Sequence, residues 1–371
     1  MHRSPEPFLL QPLRQRREQH AFRELRLQGN LIDFCSNDYL GLARSAALQE
    51  KVHVLMQERP AAHGSTGSRL LAGNYQWIND VEADLAAFHQ ADAALIYNSG
   101  YDANLGLFSC VPQKGDTVVY DQLVHASIRD GMRLSHAQTY SFRHNDMEDL
   151  RKKINNASGN CFVAVESVYS MDGDMAPLAA IVSLCQEYGA HLIVDEAHAT
   201  GVVGERGAGL VQALGLEDAC FARLHTFGKA VGCHGAVVLG SSTLRDYLIN
   251  FSRSLIYSTA LPPTAIAAIQ AGYSLFPYMD DARAELSARI KQFREGVGPL
   301  ALLPSETPIQ VVITGGNENT RTIAAMLQSA GLDVRAILHP TVPKGQERLR
   351  IVIHCFNTAV EIELLIKVLL R

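Results

Sequence analysis

Short apolar runs alternate with helical patterns along most of this chain, and that alternation limits the fold more than any other feature. Helices fill the intervals between the runs, as the pattern of Ala179–Tyr188 indicates. Alternating strands and helices predict an α/β fold whose mostly parallel sheet is covered by helices on both faces. The predicted strands of this sheet are Ala94–Tyr97, Thr117–Tyr120, Cys161–Val165, His191–Val194 and Ala236–Leu239.

The pattern changes in the last part of the chain. A long helical stretch follows Pro263 and runs to about Val297, and strands are predicted at Ile309–Ile313 and Leu349–Ile353 with a helix after each. The polar and basic first 30 residues are expected to form a helical arm. We therefore divide the chain into an N-terminal arm (1–45), a large α/β domain (46–278) and a small C-terminal α+β domain (279–371).

Charge and cysteine content argue against several classes of function. The chain of 371 residues carries 33 Lys and Arg against 38 Asp and Glu, without a long basic run. This balance argues against binding to nucleic acid or to an anionic membrane. The seven cysteines are scattered without a CxxC pair, and no apolar run resembles a signal peptide or a membrane span. We expect a cytoplasmic protein with reduced thiols, and neither a disulfide scaffold nor a metal site.

Polar clusters follow the predicted strands, where open α/β sheets bind their ligands. In Asn98–Tyr101 (NSGY) a glycine allows backbone N–H groups to approach a phosphate at a helix N-terminus, and an ordinary turn is the alternative. In Asp195–His198 (DEAH) the acid and the imidazole are candidates to hold two edges of one ring, and a structural role is the alternative. A helicase is rejected because no GxxxxGK[ST] phosphate loop occurs in the sequence.

Three further side chains are candidates for chemistry. Lys229 ends the segment Thr226–Lys229 (TFGK) among small and apolar neighbours. A lysine withdrawn from water loses proton affinity and becomes an amine nucleophile and base, whereas a solvated surface charge is the alternative. His125 is placed either to stack on a planar ring or to cap the helix that follows it. Ser170, which follows another strand, is a candidate donor to a phosphate or a ring substituent.

The order and spacing of these segments are more specific than any one of them. They belong to a longer series: Ser36–Leu42, Gly64–Arg69, Asp195–Gly201, Thr226–Lys229, Tyr257–Pro263, Pro340–Pro343 and Arg348–Arg350. In this series, from about Phe22 to the C-terminus, the chain resembles the α-oxoamine synthases, which are pyridoxal 5′-phosphate enzymes of fold type I. The resemblance implies the fold type I transferase architecture and pyridoxal phosphate as the cofactor.

The resemblance also implies a role for each residue of the cofactor site. Lys229 would hold the cofactor's aldehyde covalently and later move the α-proton. Asp195 would keep the pyridine nitrogen protonated, so that the ring accepts electrons. His198 would bond the ring oxygen, and His125 would stack on the ring face. The other implied cofactor contacts are Gly100, Tyr101, Thr226, Ser170 and, from the neighbouring subunit of a homodimer, Thr259.

On the substrate side, the resemblance implies that Arg350 binds the amino-acid carboxylate through its guanidinium fork, with Asn37 assisting. Arg23 and Thr341 would line the acyl side, and His125 would also face the substrate.

Two assignments stay open within the resemblance. Arg16, Arg17 and Arg26 are rivals of Arg23, because the arm that follows Arg23 is short. Glu166 corresponds to a site acid without an assigned role.

The implied reaction is the decarboxylative condensation of an amino acid with an acyl thioester. The segments DEAHATG and PTVP favour the branch that joins L-alanine to a pimeloyl thioester in biotin biosynthesis. Coenzyme A and an acyl carrier protein are both candidate carriers. Condensation of glycine with acetyl-coenzyme A is the alternative within the family. A non-catalytic partner subunit of the same fold is the alternative outside it, although the chain retains the lysine, the acid and the histidines.

Overall fold

The computed structural model of the protein describes residues 6–25, 27, 29–59, 62–298 and 300–371. This described chain divides into two compact units. Asn37–Ser170 and Met175–Ala284 form the larger unit. The smaller unit comprises Met171–Asp174, Glu285–Arg371 and the described residues up to Ser36.

Strands and helices alternate along most of the chain. Within the described residues the strands are β1 Ile32–Asp33, β2 Ala93–Tyr97, β3 Thr117–Asp121, β4 Gln138–Phe142, β5 Cys161–Glu166, β6 His191–Asp195, β7 Cys220–Thr226, β8 Ala236–Gly240, β9 Ile309–Ile313, β10 Leu332–Asp333, β11 Arg335–Ile337 and β12 Arg348–Val352. The α-helices are α1 Pro7–Glu18, α2 Ala46–Glu58, α3 Gln76–Phe88, α4 Gly100–Cys110, α5 Ala126–Leu134, α6 Met147–Asn155, α7 Leu178–Tyr188, α8 Leu210–Ala213, α9 Ser242–Phe251, α10 Arg253–Ile256, α11 Pro263–Leu275, α12 Asp280–Gly296, α13 Asn317–Ser329 and α14 Ala359–Leu369.

A seven-stranded sheet forms the centre of the larger unit, as far as the described residues show. Its strand order is β2-β8-β7-β6-β5-β3-β4. β8 is antiparallel to both of its neighbours, and the other pairings are parallel. The carboxyl ends of β2, β3, β5, β6 and β7 therefore lie at the same edge of the sheet.

Apolar side chains cover both faces of this sheet. Successive residues of β5 alternate between the two cores: Phe162 packs into one core with Phe108 of α4, and Val163 packs into the other with Ile181 of α7. This two-sided burial explains why the run reads as continuously apolar, which is typical of a parallel strand. The fold predicted from the alternation is confirmed.

Two strands of the sheet were absent from the prediction. β7 contains Arg223 and His225, which are both buried and interrupt the apolar run. β4 lies at the edge of the sheet, and its residues are exposed up to Phe142. A strand with polar residues is not recognised from hydrophobicity. In β4 those residues are solvated, and in β7 they are buried with partners.

The helical arm is shorter than predicted. Among the described residues of the first 30, only α1 is helical, and the described chain after Gln19 is non-helical up to β1. Arg321 of α13 donates hydrogen bonds to the backbone carbonyls of His20 and Phe22. Those carbonyls are thereby satisfied outside a helix, so the prediction of a helix through this segment is wrong.

The long helical stretch after Pro263 is also interrupted. α11 ends at Leu275, a short 3₁₀ turn covers Phe276–Tyr278, and α12 begins at Asp280. Pro277 lies in that turn, and a proline lacks the N–H that an α-helix needs at an interior position.

The smaller unit has an antiparallel sheet in the order β11-β12-β9, with helices α13 and α14 and the part of α12 from Glu285 onwards. β1 pairs with β10 in parallel. α14 begins with a capping box between Thr358 and Glu361. Across both units, no helix of the described residues combines the length and the apolar character that crossing a membrane requires.

Candidate active site

Two buried carboxyl groups stand side by side at the edge where the parallel strands end. Glu166 ends β5 and Asp195 ends β6, and the two residues are directly paired in the register of the sheet. Both are nearly inaccessible to solvent. Two adjacent buried acids seldom ionise together, so their surroundings decide which one carries the charge.

Hydrogen-bond donors surround Asp195. Its Oδ2 accepts a 2.7 Å hydrogen bond from the side-chain amide of Asn104, and its Oδ1 accepts one of 2.9 Å from the backbone N–H of Ala197. Donors to both oxygens favour the carboxylate form. Asn104 lies in α4, and the sequence analysis missed it.

Glu166 has the opposite environment. Its Oε1 has no hydrogen-bond partner within the described chain, and its Oε2 accepts a weak 3.3 Å bond from the backbone N–H of Ser170. Burial first, and then the charge of Asp195, raise the pKa of Glu166 well above its usual range. The surroundings of Glu166 therefore favour its protonated form, whereas Asp195 receives the hydrogen-bond donors.

His198 is held from the side by an aromatic hydroxyl. Its Nδ1 lies 2.6 Å from the hydroxyl oxygen of Tyr39, which is 3.2 Å from the side-chain oxygen of Asn37. His198 and Tyr39 are both buried. This contact fixes the plane of the imidazole. It also places the side chain of Asn37, a predicted substrate contact, against Tyr39.

His125 precedes α5 and caps it, as one of the two predicted alternatives proposed. Its Nδ1 accepts from the backbone N–H of Ser127 and lies 2.7 Å from the Ser127 hydroxyl. Burial and then the nearby Lys229 ammonium outweigh the Asp195 carboxylate and lower the pKa of His125. The ring is therefore neutral at physiological pH, whether or not it also stacks on a ligand.

Lys229 follows β7 and is half-buried. Its Nζ lies 3.5 Å from the Oγ1 of Thr226, the last residue of that strand. The positive charge of Lys229 acts to lower the pKa of both His125 and Glu166. β7 and β8 are joined by the short segment 227–235, which is closed by a 2.9 Å bond from the N–H of Phe227 to the carbonyl of Gly235.

Helix α4 starts at this same edge. Ser99 caps it by accepting from the N–H of Asp102, and Gly100 is its first residue. A Cβ atom at Gly100 would overlap the Cγ2 of Thr226, so the close approach of α4 to β7 requires glycine. The free N–H groups of the first turn make this helix end a site for an anion. The Tyr101 hydroxyl is bonded instead to Asp130, at 2.5 Å.

A second polar cluster lies on the other side of β7, and the sequence analysis did not find it. Glu196 and His225 are fully buried, and burial raises the pKa of Glu196 from 4.5 to about 7. Thr200 donates to the backbone carbonyl of Glu196, so the Nδ1 of His225, 2.9 Å from the Thr200 oxygen, must be the donor of that pair. His225 also stacks on His89, with 3.9 Å between the ring centroids.

Thr259 lies on the surface of the larger unit. Its backbone carbonyl accepts a 2.9 Å bond from the side-chain amide of Asn98, and its side chain is exposed. Tyr257, Leu70 and Leu71 are exposed large side chains of the same unit.

The predicted substrate residues Arg23, Thr341 and Arg350 belong to the smaller unit. Arg23 and Thr341 meet, because the guanidinium donates a 3.2 Å bond to the threonine hydroxyl. Arg350 is a buried residue of β12.

Of the rivals of Arg23, Arg16 lines the same cavity as Arg23 and Thr341. The guanidinium of Arg17 lies 4.1 Å above the ring of Phe22. Arg26 lies outside the described residues.

Comparison with known proteins places this site in a family. Residues 29–369 match the family described as aminotransferase class I and II. The chain belongs to that family. The 8-amino-7-oxononanoate synthase of Emericella nidulans is 42% identical over 381 residues, which cover 96% of this chain and 92% of the fungal protein. Within the family the chain is an α-oxoamine synthase, as its motifs predict, and therefore a pyridoxal phosphate-dependent acyltransferase.

Solved structures agree with this placement. A serine palmitoyltransferase from S. paucimobilis, determined with a bound adduct of pyridoxal phosphate and myriocin, superposes with a TM-score of 0.89. The two sequences are 26% identical, and the match covers 99% of this chain and 98% of that one. An 8-amino-7-oxononanoate synthase from Francisella tularensis has a TM-score of 0.80 at 28% identity, and the match covers 91% and 96% of the two chains.

The residues of this α-oxoamine synthase fit the cofactor of its family. Asp195 is a buried carboxylate with both oxygens held. Lys229 supplies an amine at the same sheet edge, and α4 supplies a helix N-terminus that comes close to β7 only because residue 100 has no Cβ. An acid for a ring nitrogen, an amine for an aldehyde and a helix end for a phosphate are the groups that pyridoxal phosphate needs.

Proposed function

We propose that the protein condenses L-alanine with a pimeloyl thioester to form 8-amino-7-oxononanoate. The reaction joins the α-carbon of alanine to the acyl carbon, expels the carrier thiol and releases the alanine carboxyl group as CO₂. The observation that carries the proposal is the half-buried amine of Lys229, at the same sheet edge as the Asp195 carboxylate. The 42% identity to the fungal 8-amino-7-oxononanoate synthase supports the choice of substrates.

In this proposal the larger unit holds the cofactor. Lys229 attaches the aldehyde, Asp195 pairs with the ring nitrogen and His198 donates to the ring oxygen. His125 covers the ring face, and Ser170 is a further contact. The first turn of α4, at Gly100 and Tyr101, would hold the phosphate together with the Thr226 hydroxyl. When bound, the protonated ring draws electrons from the α-carbon of the substrate and makes its proton acidic.

Lys229 then has a second task in the proposal, because its amine takes the proton from the α-carbon and later returns one to the product.

The substrates are assigned to side chains that offer complementary charge. Arg350 binds the carboxylate of alanine through its guanidinium fork, and Asn37 assists it. Arg23 and Thr341, which already contact each other, line the acyl side. We further propose a homodimer in which Thr259 reaches the phosphate of the neighbouring subunit. The exposed Thr259 and Tyr257 support an interface there.

The amino-acid and acyl specificities are tested in one experiment. Purified protein with pyridoxal phosphate is assayed with L-alanine, glycine and L-serine, each with acetyl- and pimeloyl-thioesters. We expect rapid turnover only for L-alanine with the pimeloyl thioester. Faster turnover of glycine with the acetyl thioester would instead make the protein a glycine C-acetyltransferase and would overturn the proposal.

A simpler measurement separates an enzyme from a non-catalytic partner subunit. We expect the purified protein to be yellow and to lose its colour on treatment with borohydride, which fixes the cofactor on Lys229. Lys229→Ala serves as the variant, and Lys291→Ala, an exposed lysine of α12, as the matched control. Equal borohydride labelling of wild type and Lys229→Ala would show that the amine was assigned wrongly.

A further inference from the structure

The turn that carries His198 closes on a single backbone carbonyl. The carbonyl of Glu196 accepts hydrogen bonds from the N–H of Ala199 at 3.0 Å, from the N–H of Thr200 at 2.9 Å and from the Thr200 hydroxyl at 2.7 Å. His198 lies inside this turn, and its imidazole is buried. The position of that imidazole therefore depends on where Thr200 is held.

A histidine of the neighbouring strand holds Thr200. The Thr200 hydroxyl gives its hydrogen to Glu196, so it accepts from the Nδ1–H of His225, at 2.9 Å. Burial, and then the neighbouring His89 and Arg223, lower the pKa of His225 well below its usual range, which favours a neutral ring with one N–H. Its Nε2 has no hydrogen-bond partner within the described chain, in agreement with an unprotonated nitrogen at that position.

His225 is itself held on its other side. Its ring stacks on that of His89, with 3.9 Å between the centroids, and both residues are buried. The two ring nitrogens of His89 are also engaged, since Nδ1 lies 3.0 Å from the Oε1 of Gln212 and Nε2 lies 2.9 Å from the hydroxyl of Tyr273. The ring of His225 cannot turn without disturbing this stack, so its bond to Thr200 has one geometry.

The same histidine is close in sequence to the reactive amine. The next residue is Thr226, whose hydroxyl lies 3.5 Å from the Nζ of Lys229. All of these residues belong to the larger unit. The side chain of His225 therefore joins the turn that carries His198 to the strand end that precedes Lys229.

A buried histidine in the middle of a sheet is costly, because an apolar side chain would fill the space without a polar group to satisfy. We propose that His225 is a positioning residue of the cofactor site, which acts through the Thr200 hydroxyl to fix the His198 imidazole relative to Lys229. The inference rests on the proposed function, in which His198 and Lys229 contact the cofactor. It adds a residue that orients these groups without touching the cofactor.

Thr200→Val removes the hydroxyl and keeps the shape of the side chain. A donor to the cofactor's ring oxygen stabilises the negative charge there, so a weaker contact from His198 raises the pH midpoint at which the bound cofactor changes its absorption spectrum. We expect a rise of about half a pH unit in Thr200→Val. Thr200→Ser keeps the hydroxyl and should keep the wild-type midpoint. Thr322→Val is the matched control, because it removes an exposed hydroxyl that bonds the carbonyl four residues back in α13.

Melting temperatures separate positioning from a purely structural role. A lower melting temperature in Thr200→Val with the wild-type midpoint would show that the hydroxyl serves stability alone, and would overturn the proposal. The same midpoint shift in Thr322→Val would overturn it too, because the shift would then be general to lost threonine hydroxyls. An unchanged midpoint in His198→Gln would show that His198 does not reach the ring oxygen, and the inference would fail together with that cofactor contact.

The role of His225 is tested by His225→Phe, alone and combined with Thr200→Val. Phenylalanine keeps a ring against His89 but has no N–H to donate. We expect His225→Phe to shift the midpoint as Thr200→Val does, and the double variant to shift it no further, because both changes remove the same hydrogen bond. Shifts that add in the double variant would overturn the proposal. If His225→Phe does not fold, the comparison of valine with serine at position 200 still decides.

These measurements need neither alanine nor a thioester, so they are independent of the condensation assay. A midpoint that shifts as expected in a protein without condensation activity would leave the inference standing and overturn the proposed function alone. Condensation activity with an unshifted midpoint in Thr200→Val would overturn the inference alone.

Discussion

The side-chain amide of Asn104 is bonded both to the carboxylate of Asp195, at 2.7 Å, and to the hydroxyl of Ser127, at 3.0 Å. That hydroxyl lies 2.7 Å from the Nδ1 of His125. One amide thus connects the acid at the end of β6 to the imidazole that precedes α5. In the proposed site these two groups meet the cofactor from different sides, so Asn104 sets their spacing.

Asn104→Ala removes this connection. We expect it to weaken pyridoxal phosphate binding by about 10- to 100-fold, since a buried hydrogen bond to a charged group contributes about 1.5–3 kcal/mol. Absorbance titration of the apoprotein measures the affinity. Asn250→Ala, which removes an exposed helical asparagine, is the control. Wild-type affinity in Asn104→Ala would show that Asp195 keeps its position without the amide.

Asp195→Asn keeps the size of the side chain and removes its charge. We expect the variant to bind the cofactor partly and to lose turnover by about 100-fold or more, because the ring nitrogen no longer has an anion to keep it protonated. Steady-state assays with saturating cofactor give the rate. Turnover near the wild-type rate would contradict the assignment of Asp195 to the ring nitrogen.

Gly100→Ala tests the close approach of α4 to β7. The added methyl overlaps the Cγ2 of Thr226, and overpacking of this kind costs about 1–3 kcal/mol. We expect weaker cofactor binding in Gly100→Ala. Thr226→Ser deletes that methyl but keeps the hydroxyl, so the double variant should recover much of the loss. If the losses of cofactor affinity in the two single variants simply add in the double variant, the contact between residues 100 and 226 is not the cause of the loss.

Glu196→Gln tests the buried acid behind β7. Burial raises the pKa of Glu196 from 4.5 to about 7, so the folded protein binds its proton more tightly than the unfolded chain does. The contribution of the protonated Glu196 to the free energy of unfolding is fully present below pH 4.5. It is lost as the pH rises through about 7, and the total loss is about 3 kcal/mol. Glutamine cannot ionise, so the variant should gain melting temperature relative to wild type between pH 5 and pH 8. Glu363→Gln, on the exposed side of α14, should show no such trend.

Tyr39→Phe removes the hydroxyl that lies 2.6 Å from the Nδ1 of His198. Both side chains are buried, and a lost neutral hydrogen bond costs about 1 kcal/mol. We expect about a 5-fold loss of cofactor affinity and a shifted absorption band, because the imidazole then moves relative to the ring oxygen. Tyr278→Phe, at an exposed tyrosine, should leave both unchanged.

The sequence predicted the sheet well because its central strands are apolar on both faces. It missed β7, whose Arg223 and His225 are buried with partners that lie far away in sequence: Arg223 donates to the carbonyl of His89, and His225 stacks on the His89 ring. No local pattern contains that information. The predicted helical arm failed for a related reason, since Arg321 satisfies the carbonyl of His20, 301 positions away.

The same limit applies to the site. Asp195 and His198 were predicted as site residues because they end or follow an apolar strand, and Lys229 was predicted because small and apolar residues surround it. Asn104 was missed because a single asparagine inside a helix has no motif, and its bond to Asp195 spans 91 positions. Tyr39 lies 159 positions from His198. Residues that orient the reactive groups are therefore visible only in three dimensions.

The antiparallel placement of β8 has a consequence for Lys229. β7 and β8 are neighbours that run in opposite directions, so a short connection joins them and both of its ends are hydrogen-bonded into the sheet. Lys229 lies in this connection, whereas parallel neighbours would need a long crossover. Its backbone is anchored, and the travel of the amine is confined to rotations of its own methylene chain. In the proposed mechanism, the length of the Lys229 side chain therefore sets how far its amine can carry a proton.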